Sequence, residues 1–350
     1  MRKPVFLNKP HTLNLFGHEV ERAAPTESEL KAHGYTVFTN NKFDHYVEDK
    51  DLFSWPSKLI TKVKADSHVL LHGTAGSGKN LTIDYLAYKM NRPYRMFAMK
   101  EKGGQVADWL GRSTLAEMNG ATVSKDEEGS LMRACMGCKI VRNGQQITVP
   151  AIICFSDIDR ADPAQVEILR EALEKGKGTL FNPMTGETIP IAQGTVFIFT
   201  ANRGLDGDGG RGMLTNPIDP SIGNRIRAVR VPYPTERWER DVVERAHPDL
   251  DKNVVRDIVK SVRALRKAAE DGYLNMLSIS VRDMLDSADE YKQIRSLMPS
   301  QKLAIRFAID GTIEKMCDDN NYEILRSAVA LDLGDLEAPK SATEPTPYDS

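Results

Sequence analysis

Gly73-Thr74-Ala75-Gly76-Ser77-Gly78-Lys79-Asn80 is the stretch on which the reading of this chain turns. A short apolar run, Val69 to Leu71, precedes it. An amphipathic segment follows, in which Ile83, Leu86, Ala87 and Met90 share one face before Pro93 closes it. Strand, glycine-rich turn and helix in that order make a phosphate cradle. Glycines at 73, 76 and 78 let successive backbone N–H groups curl round a polyphosphate, the following helix turns its positive end to the anion, and Lys79 reaches the terminal phosphates. The implied ligand is a nucleoside triphosphate, held by Gly73, Thr74, Ala75, Gly76, Ser77, Gly78, Lys79, Asn80 and Leu81. A chance glycine-rich turn would lack the strand and helix that flank this one.

The 350 residues are enough for one large domain or two modest ones with a proper core. A net charge of -2 and the lack of a long basic block make nucleic acid an unlikely default partner. The sequence contains no apolar stretch long enough to span a bilayer. Met1-Arg2-Lys3-Pro4 is not followed by a continuous apolar segment, so a soluble, cytoplasmic protein is expected. Four cysteines do not make a disulfide framework; with Cys154 in a predicted strand and Cys317 in a predicted helix, reduced thiols are expected.

Residues 1–45 mix Pro, His, Asn and charge without a sustained period and read as an N-terminal extension that packs on, or reaches from, the main body. Over 46–232 strand candidates alternate with helical patterns: Val69 to Leu71, Tyr94 to Met99, Ile152 to Phe155, Val196 to Thr200 and Ala228 to Val231. That alternation predicts a mainly parallel sheet covered on both faces. From 233 to 334 the pattern is helical. Thr235, Ser280 and Ser300 are candidate caps, and Val254, Val255, Ile258, Val259, Val262 and Leu265 form one apolar stripe, so a helical lid is expected. The composition of 335–350 predicts a disordered tail.

Two further segments bear on nucleotide handling. Pro150 to Pro163 begins as an apolar strand and delivers Asp157 and Asp159 to its C-terminal end, where open α/β sheets bind ligands. In P-loop NTPases such a strand supplies the carboxylate linked to magnesium. Val196 to Arg203 ends a second strand with Asn202, an amide suited to the attacking water or the γ-phosphate; a plain turn asparagine before Arg203-Gly204 is the alternative.

With these segments in order the chain resembles the AAA+ ATPases, within them the MoxR-like group that includes the small ATPase subunit of cobaltochelatase. The resemblance spans roughly residues 46–295 and rests on Gly73 to Lys79, Asp157-Ile158-Asp159-Arg160-Ala161, Thr200-Ala201-Asn202, Asn224-Arg225-Ile226 and Ser280-Val281-Arg282. It implies an α/β P-loop NTPase sheet domain with a C-terminal helical lid, ATP and Mg2+ as cofactors, and a ring of copies, a hexamer. By the same resemblance Asn202 is the sensor-1 residue, Arg225, with Arg227 beside it, is the arginine finger offered to a neighbouring subunit, and Arg282 is the sensor-2 arginine. A guanidinium suits these posts because it stays charged and bonds two phosphate oxygens at once. Each arginine is otherwise an ordinary surface ion-pair residue.

Two positions depart from the family pattern. Asn80 stands where a Ser or Thr hydroxyl normally meets magnesium, and Ser156 where the magnesium-linked Asp belongs, which places Asp157 at the position of the catalytic Glu. The metal set read from the sequence is Asn80 and Asp157. Three readings stay open: Asp157 serves the metal and Asp159 the water, Asp157 is a shortened catalytic acid, or nucleotide is bound and hydrolysed slowly.

Cys135-Met136-Gly137-Cys138 has zinc-ligand spacing without a second pair, and His68 and His72 lack the companion acid of a metalloprotease; both read as structural. Ile140 to Val149 reads as a hairpin turned at Asn143-Gly144, and Gly178 to Ile191 as an inserted hairpin. The resemblance turns such inserts toward a ring pore or client, and places the loop Gly204 to Gly212 near a subunit interface. The function read here is an ATP-hydrolysing ring that remodels a protein partner, one with a von Willebrand factor A domain. A non-hydrolysing scaffold and a DNA-directed motor of the McrB-like kind are the alternatives.

Overall fold

The computed structural model describes residues 12–23, 25–99, 106–118, 121–174, 178–182, 185–202, 218–268, 279–314, 322 and 326–327. The expected tail 335–350, Arg203, the loop Gly204 to Gly212, Cys317 and the end of the expected lid lie outside the described residues. The chain divides into two units, 1–233 and 234–350.

The first unit opens with a small hairpin, β1 (Thr12–Leu15) and β2 (His18–Glu21), then helices α1 (Glu27–Ala32) and α2 (Trp55–Lys64). Strand β3 (Val69–His72) leads into α3 (Lys79–Met90), followed by β4 (Tyr94–Ala98) and α4 (Val106–Leu110). An antiparallel hairpin, β5 (Gly111–Met118) with β6 (Ala121–Glu128), comes next, then α5 (Ser130–Cys135) and a second hairpin, β7 (Cys138–Arg142) with β8 (Gln145–Val149). After β9 (Ile152–Ser156) come α6 (Pro163–Ala172), the short hairpin β10 (Thr179–Phe181) and β11 (Thr188–Pro190), then β12 (Val196–Ala201), α7 (Pro220–Gly223) and β13 (Arg227–Arg230).

Five strands form one wholly parallel sheet in the order β13-β3-β12-β9-β4. Its sequence logic is visible residue by residue. Leu70, Ile153, Phe155, Phe197 and Phe199 enter the core on one face, whereas Val69, Leu71, Ile152, Cys154, Val196 and Ile198 enter the core on the other. Alternate side chains of a strand point to opposite faces, so runs apolar at every position need cover on both. The five expected strands are all present, each within a residue or two of its expected bounds.

The described part of the N-terminal segment is built into this unit. Leu15, Phe16, Val20, Phe43 and Tyr46 are buried with α3 residues in one core cluster. Ala23 N–H donates to Met90 O at 2.8 Å, Lys42 pairs with Asp84 at 2.7 Å, and the Tyr46 hydroxyl donates to Thr82 Oγ1 at 3.0 Å. Tyr46 also stacks on Tyr85 with ring centroids 4.0 Å apart. The helix that carries the phosphate loop is thereby clamped along its length.

The second unit is helical: α8 (Glu236–Ala246), α9 (Lys252–Ala268), α10 (Val281–Ile294) and α11 (Gln301–Glu314). Thr235 and Ser280 cap α8 and α10 through their hydroxyls, and the Ser300 hydroxyl accepts Leu303 N–H at 3.2 Å. Val254, Val255, Ile258, Val259, Val262 and Leu265 all face its core. Glu239 lies fully buried in that unit between Arg263 and Arg266.

Candidate functional site

Strands β3, β12 and β9 are neighbours and run in the same direction, so the residues that follow each of them meet at one end of the sheet. The phosphate loop leaves β3, Asn202 leaves β12 and Asp157 leaves β9. The C-terminal edge of a parallel sheet is the ordinary place for a ligand.

The loop has the geometry its glycines predict. Gly73 adopts φ 156°, and a Cβ built on it would lie 2.1 Å from the carbonyl oxygen of Val231, so only glycine fits. Gly76 (φ 73°) and Gly78 (φ 85°) take left-handed conformations that other residues adopt at a cost. Gly78 is the N-cap of α3, no side chain caps the helix, and its first turn carries no acidic residue. The leading N–H groups of this twelve-residue helix, together with its dipole, form an anion-binding end. Thr74 and Gly76 are exposed, Leu81 is exposed on the first turn of α3, and Ser77 is buried with no partner for its hydroxyl among the described residues.

Lys79 is 7% exposed. Its ammonium donates to Gly73 O at 2.6 Å and Thr74 O at 2.9 Å, with Asn202 Oδ1 at 3.5 Å. Burial lowers its pKa to about 8, against the opposing pull of Asp157 and Asp159. A cation this desolvated gains more from an incoming anion than one in water.

Around it the acidic residues take distinct posts. Asp157 sits in a left-handed conformation (φ 60°, ψ 52°), its N–H held by Thr200 Oγ1 at 3.2 Å. Asp and Asn are among the few side chains that tolerate this region. Its carboxylate accepts from Ser156 Oγ at 3.1 Å through Oδ2 and from Asn202 Nδ2 at 3.4 Å through Oδ1. Asp159, 1% exposed, accepts Asn202 N–H at 3.0 Å, and burial raises its pKa. Its geometry is that of a brace for Asn202. The hydrogen bond from Asp157 N–H to Thr200 and the bracing role of Asp159 escaped the sequence reading; the polar residues at the ends of two apolar strands were the available signal.

The donor set fits a hard divalent cation. Asn80 Oδ1 is buried without a hydrogen-bond partner among the described residues, and Asn80 Nδ2 is linked to the Asp157 carboxylate through the Ser156 hydroxyl. Magnesium is ligated by oxygen, and these two groups would hold it.

The structure separates Arg225 from this site within its own chain. Arg225 and Arg227 lie before and at the start of β13, the opposite end of the sheet from the loop that follows β3. They line a cavity of about 720 Å³ with Asp66, His68, Thr195 and Asn224, and Arg225 Nη1 is anchored on Ser221 O. Arg282 belongs to the second unit, exposed in the first turn of α10. The cysteines read as structural, Cys135 and Cys138, are buried, as is Cys154; among the described residues no cluster of His, Cys, Asp and Glu has metal-holding geometry. His68 accepts Phe197 N–H at 3.2 Å in the sheet. Among the described residues no helix is long and apolar enough to cross a membrane.

Comparison with known proteins agrees with this geometry. Residues 68–222 match the family model described as AAA domain (dynein-related subfamily). An uncharacterized protein of Staphylococcus epidermidis is 24% identical over 296 residues, spanning 85% of this chain and 98% of that protein. Protein NorQ of Paracoccus denitrificans is 28% identical over 242 residues, 66% of this chain and 80% of its own. Denitrification regulatory protein NirQ of Stutzerimonas stutzeri is 27% identical over 200 residues, 57% and 63% respectively. The first unit therefore has the P-loop NTPase fold of the AAA+ class, followed in the chain by a helical unit.

Proposed function

We propose that this chain binds ATP with Mg2+ and hydrolyses it as a MoxR-like member of a ring of identical copies, a hexamer, and that the cycle remodels or matures a protein partner. The single observation that carries the reading is the convergence of Lys79, Asp157 and Asn202 on a glycine-rich loop at the end of three adjacent parallel strands. In this reading the loop amides and Lys79 take the phosphates, Asp157 with Asn80 holds the Mg2+, Asn202 orients the attacking water, and Arg225 serves a neighbouring copy. Arg282 is the sensor-2 arginine of this reading by its motif, Ser280-Val281-Arg282. Phosphoryl transfer needs little more than such positioning and charge.

The name of one relative, the denitrification regulatory protein NirQ, fits a regulatory role. A partner with a von Willebrand factor A domain and a cytoplasmic setting complete the proposal; like the link to cobaltochelatase, they rest on motif resemblance and composition alone. Asn80 and Ser156 favour a second reading, a nucleotide-binding scaffold without turnover. Calorimetry and phosphate release on wild type, Lys79→Ala and Asp157→Asn separate the two. Binding lost in Lys79→Ala and turnover lost in Asp157→Asn are expected. Wild-type turnover no faster than that of both variants leaves only the scaffold, and a wild type that binds no nucleotide removes both.

A further inference from the structure

The two positions at which the site departs from the family pattern touch each other. Asn80 Nδ2 donates to Ser156 Oγ at 3.2 Å, and Ser156 Oγ donates onward to Asp157 Oδ2 at 3.1 Å. A carboxamide has a donor end and an acceptor end, and committing the nitrogen fixes which way the oxygen points. Here the oxygen, Asn80 Oδ1, is buried and has no hydrogen-bond partner among the described residues. Buried acceptors normally find a partner, so one left open on a residue linked through a single hydroxyl to a carboxylate calls for a cation.

We propose that Asn80 and Ser156 act as one unit. Ser156 is a positioning residue whose hydroxyl, taking the Asn80 N–H and giving its own O–H to Asp157, holds the amide oxygen toward the divalent cation of the bound nucleotide. The inference rests on the reading of the site as a magnesium–nucleotide site. An aspartate at 156 would bring a second negative charge close to the Asp157 oxygen that now accepts from Ser156. A hydroxyl in that post satisfies both neighbours at once. The oxygen pair is then one neutral amide and one carboxylate, and because the amide has a single acceptor end its orientation decides whether the pair is complete.

The test reads metal dependence rather than turnover. ATP affinity of the full chain is measured by calorimetry in EDTA and in saturating Mg2+, and the ratio of the two dissociation constants is compared among wild type, S156A, S156T, N80A and N80A/S156A. The expected result is a ratio about tenfold smaller in S156A, the scale of one lost hydrogen bond to a charged group. S156T, which keeps the hydroxyl, retains the wild-type ratio, and the double variant falls no lower than N80A alone, as two residues acting through one contact require. An unchanged ratio in S156A, or losses that multiply in the double variant, overturns the pairing while leaving the nucleotide site in place. So does a wild type that binds ATP equally well with and without Mg2+. A wild type that binds no nucleotide in either buffer instead sinks the reading of the site itself, and the pairing with it.

Discussion

Raising the pH should loosen the nucleotide through Lys79. In the free chain burial holds this ammonium at a pKa of about 8, well below its ordinary 10.5. A triphosphate beside it favours the charged form and returns the bound-state pKa toward or above the ordinary value. Below pH 8 the free and bound chains both carry the proton, and affinity sits on its plateau. Above pH 8 the free chain has lost it, binding must take up a proton, and affinity falls about tenfold per pH unit until the bound-state pKa is reached. One unit above the free pKa, roughly one free chain in eleven is still charged, so the dissociation constant is about tenfold weaker, about 1.4 kcal/mol. Phosphate monoesters give up their second proton near pH 6, so the ligand adds little above pH 8. Calorimetry at several pH values, in two buffers of different ionisation enthalpy, reads both the affinity and the proton taken up. A dissociation constant that stays flat from about pH 7 to 9.5, with no proton uptake, would refute the account. The same shift makes the free protein more stable as pH rises from about 8 to 10.5, because in that window the unfolded state binds more protons.

Gly73→Ala should abolish nucleotide binding and lower the melting temperature, since its Cβ would meet the Val231 backbone at 2.1 Å; a cost of about 1–3 kcal/mol or more is expected for such overpacking. Glu239→Ala removes the buried carboxylate that Arg263 and Arg266 share, and should destabilise the helical unit by about 3–5 kcal/mol in denaturant titrations, with the calorimetric ATP affinity measured alongside. Mixing Lys79→Ala with Arg225→Ala, each inactive alone, should restore part of the turnover if the two residues serve one site from different copies. Mixtures as silent as their components would count against the ring.

The sheet was legible because its strands are buried on both faces and therefore read as unbroken apolar runs. The β7–β8 hairpin was legible because Asn143 and Gly144 both take left-handed conformations, which that dipeptide favours. The β5–β6 hairpin was not read although Asn119-Gly120 stands between its strands in the sequence: Gly111–Met118 and Ala121–Glu128 are mostly polar, so no alternating apolar pattern flanks the dipeptide. Whether the N-terminal segment packs on the main body or reaches from it was left open, because single long-range contacts such as Lys42 with Asp84 and Tyr46 with Thr82 leave no period in the sequence. At the site, the identities of Lys79, Asp157 and Asn202 were readable from strand ends. The left-handed turn at Asp157 and the brace from Asp159 depend on neighbours more than 40 residues away.

The same parallel order that assembles the site also leaves it without Arg225 from its own chain. Arg227 to Arg230 run in register with Val69 to His72, so a residue that precedes β13 and a loop that follows β3 stand at opposite ends of the sheet. Four residues of strand separate them by roughly 13 Å before the flanking turns are counted. Ser221 holds the guanidinium on a backbone carbonyl at that far end, where it opens on the 720 Å³ cavity with His68, Thr195 and Asn224. An arginine so placed can meet a γ-phosphate only if another copy brings one to it. On the ring reading, then, the oligomer follows from the sheet: parallel strands send the phosphate loop to one edge and the finger to the other, and head-to-tail repetition is the arrangement that joins them.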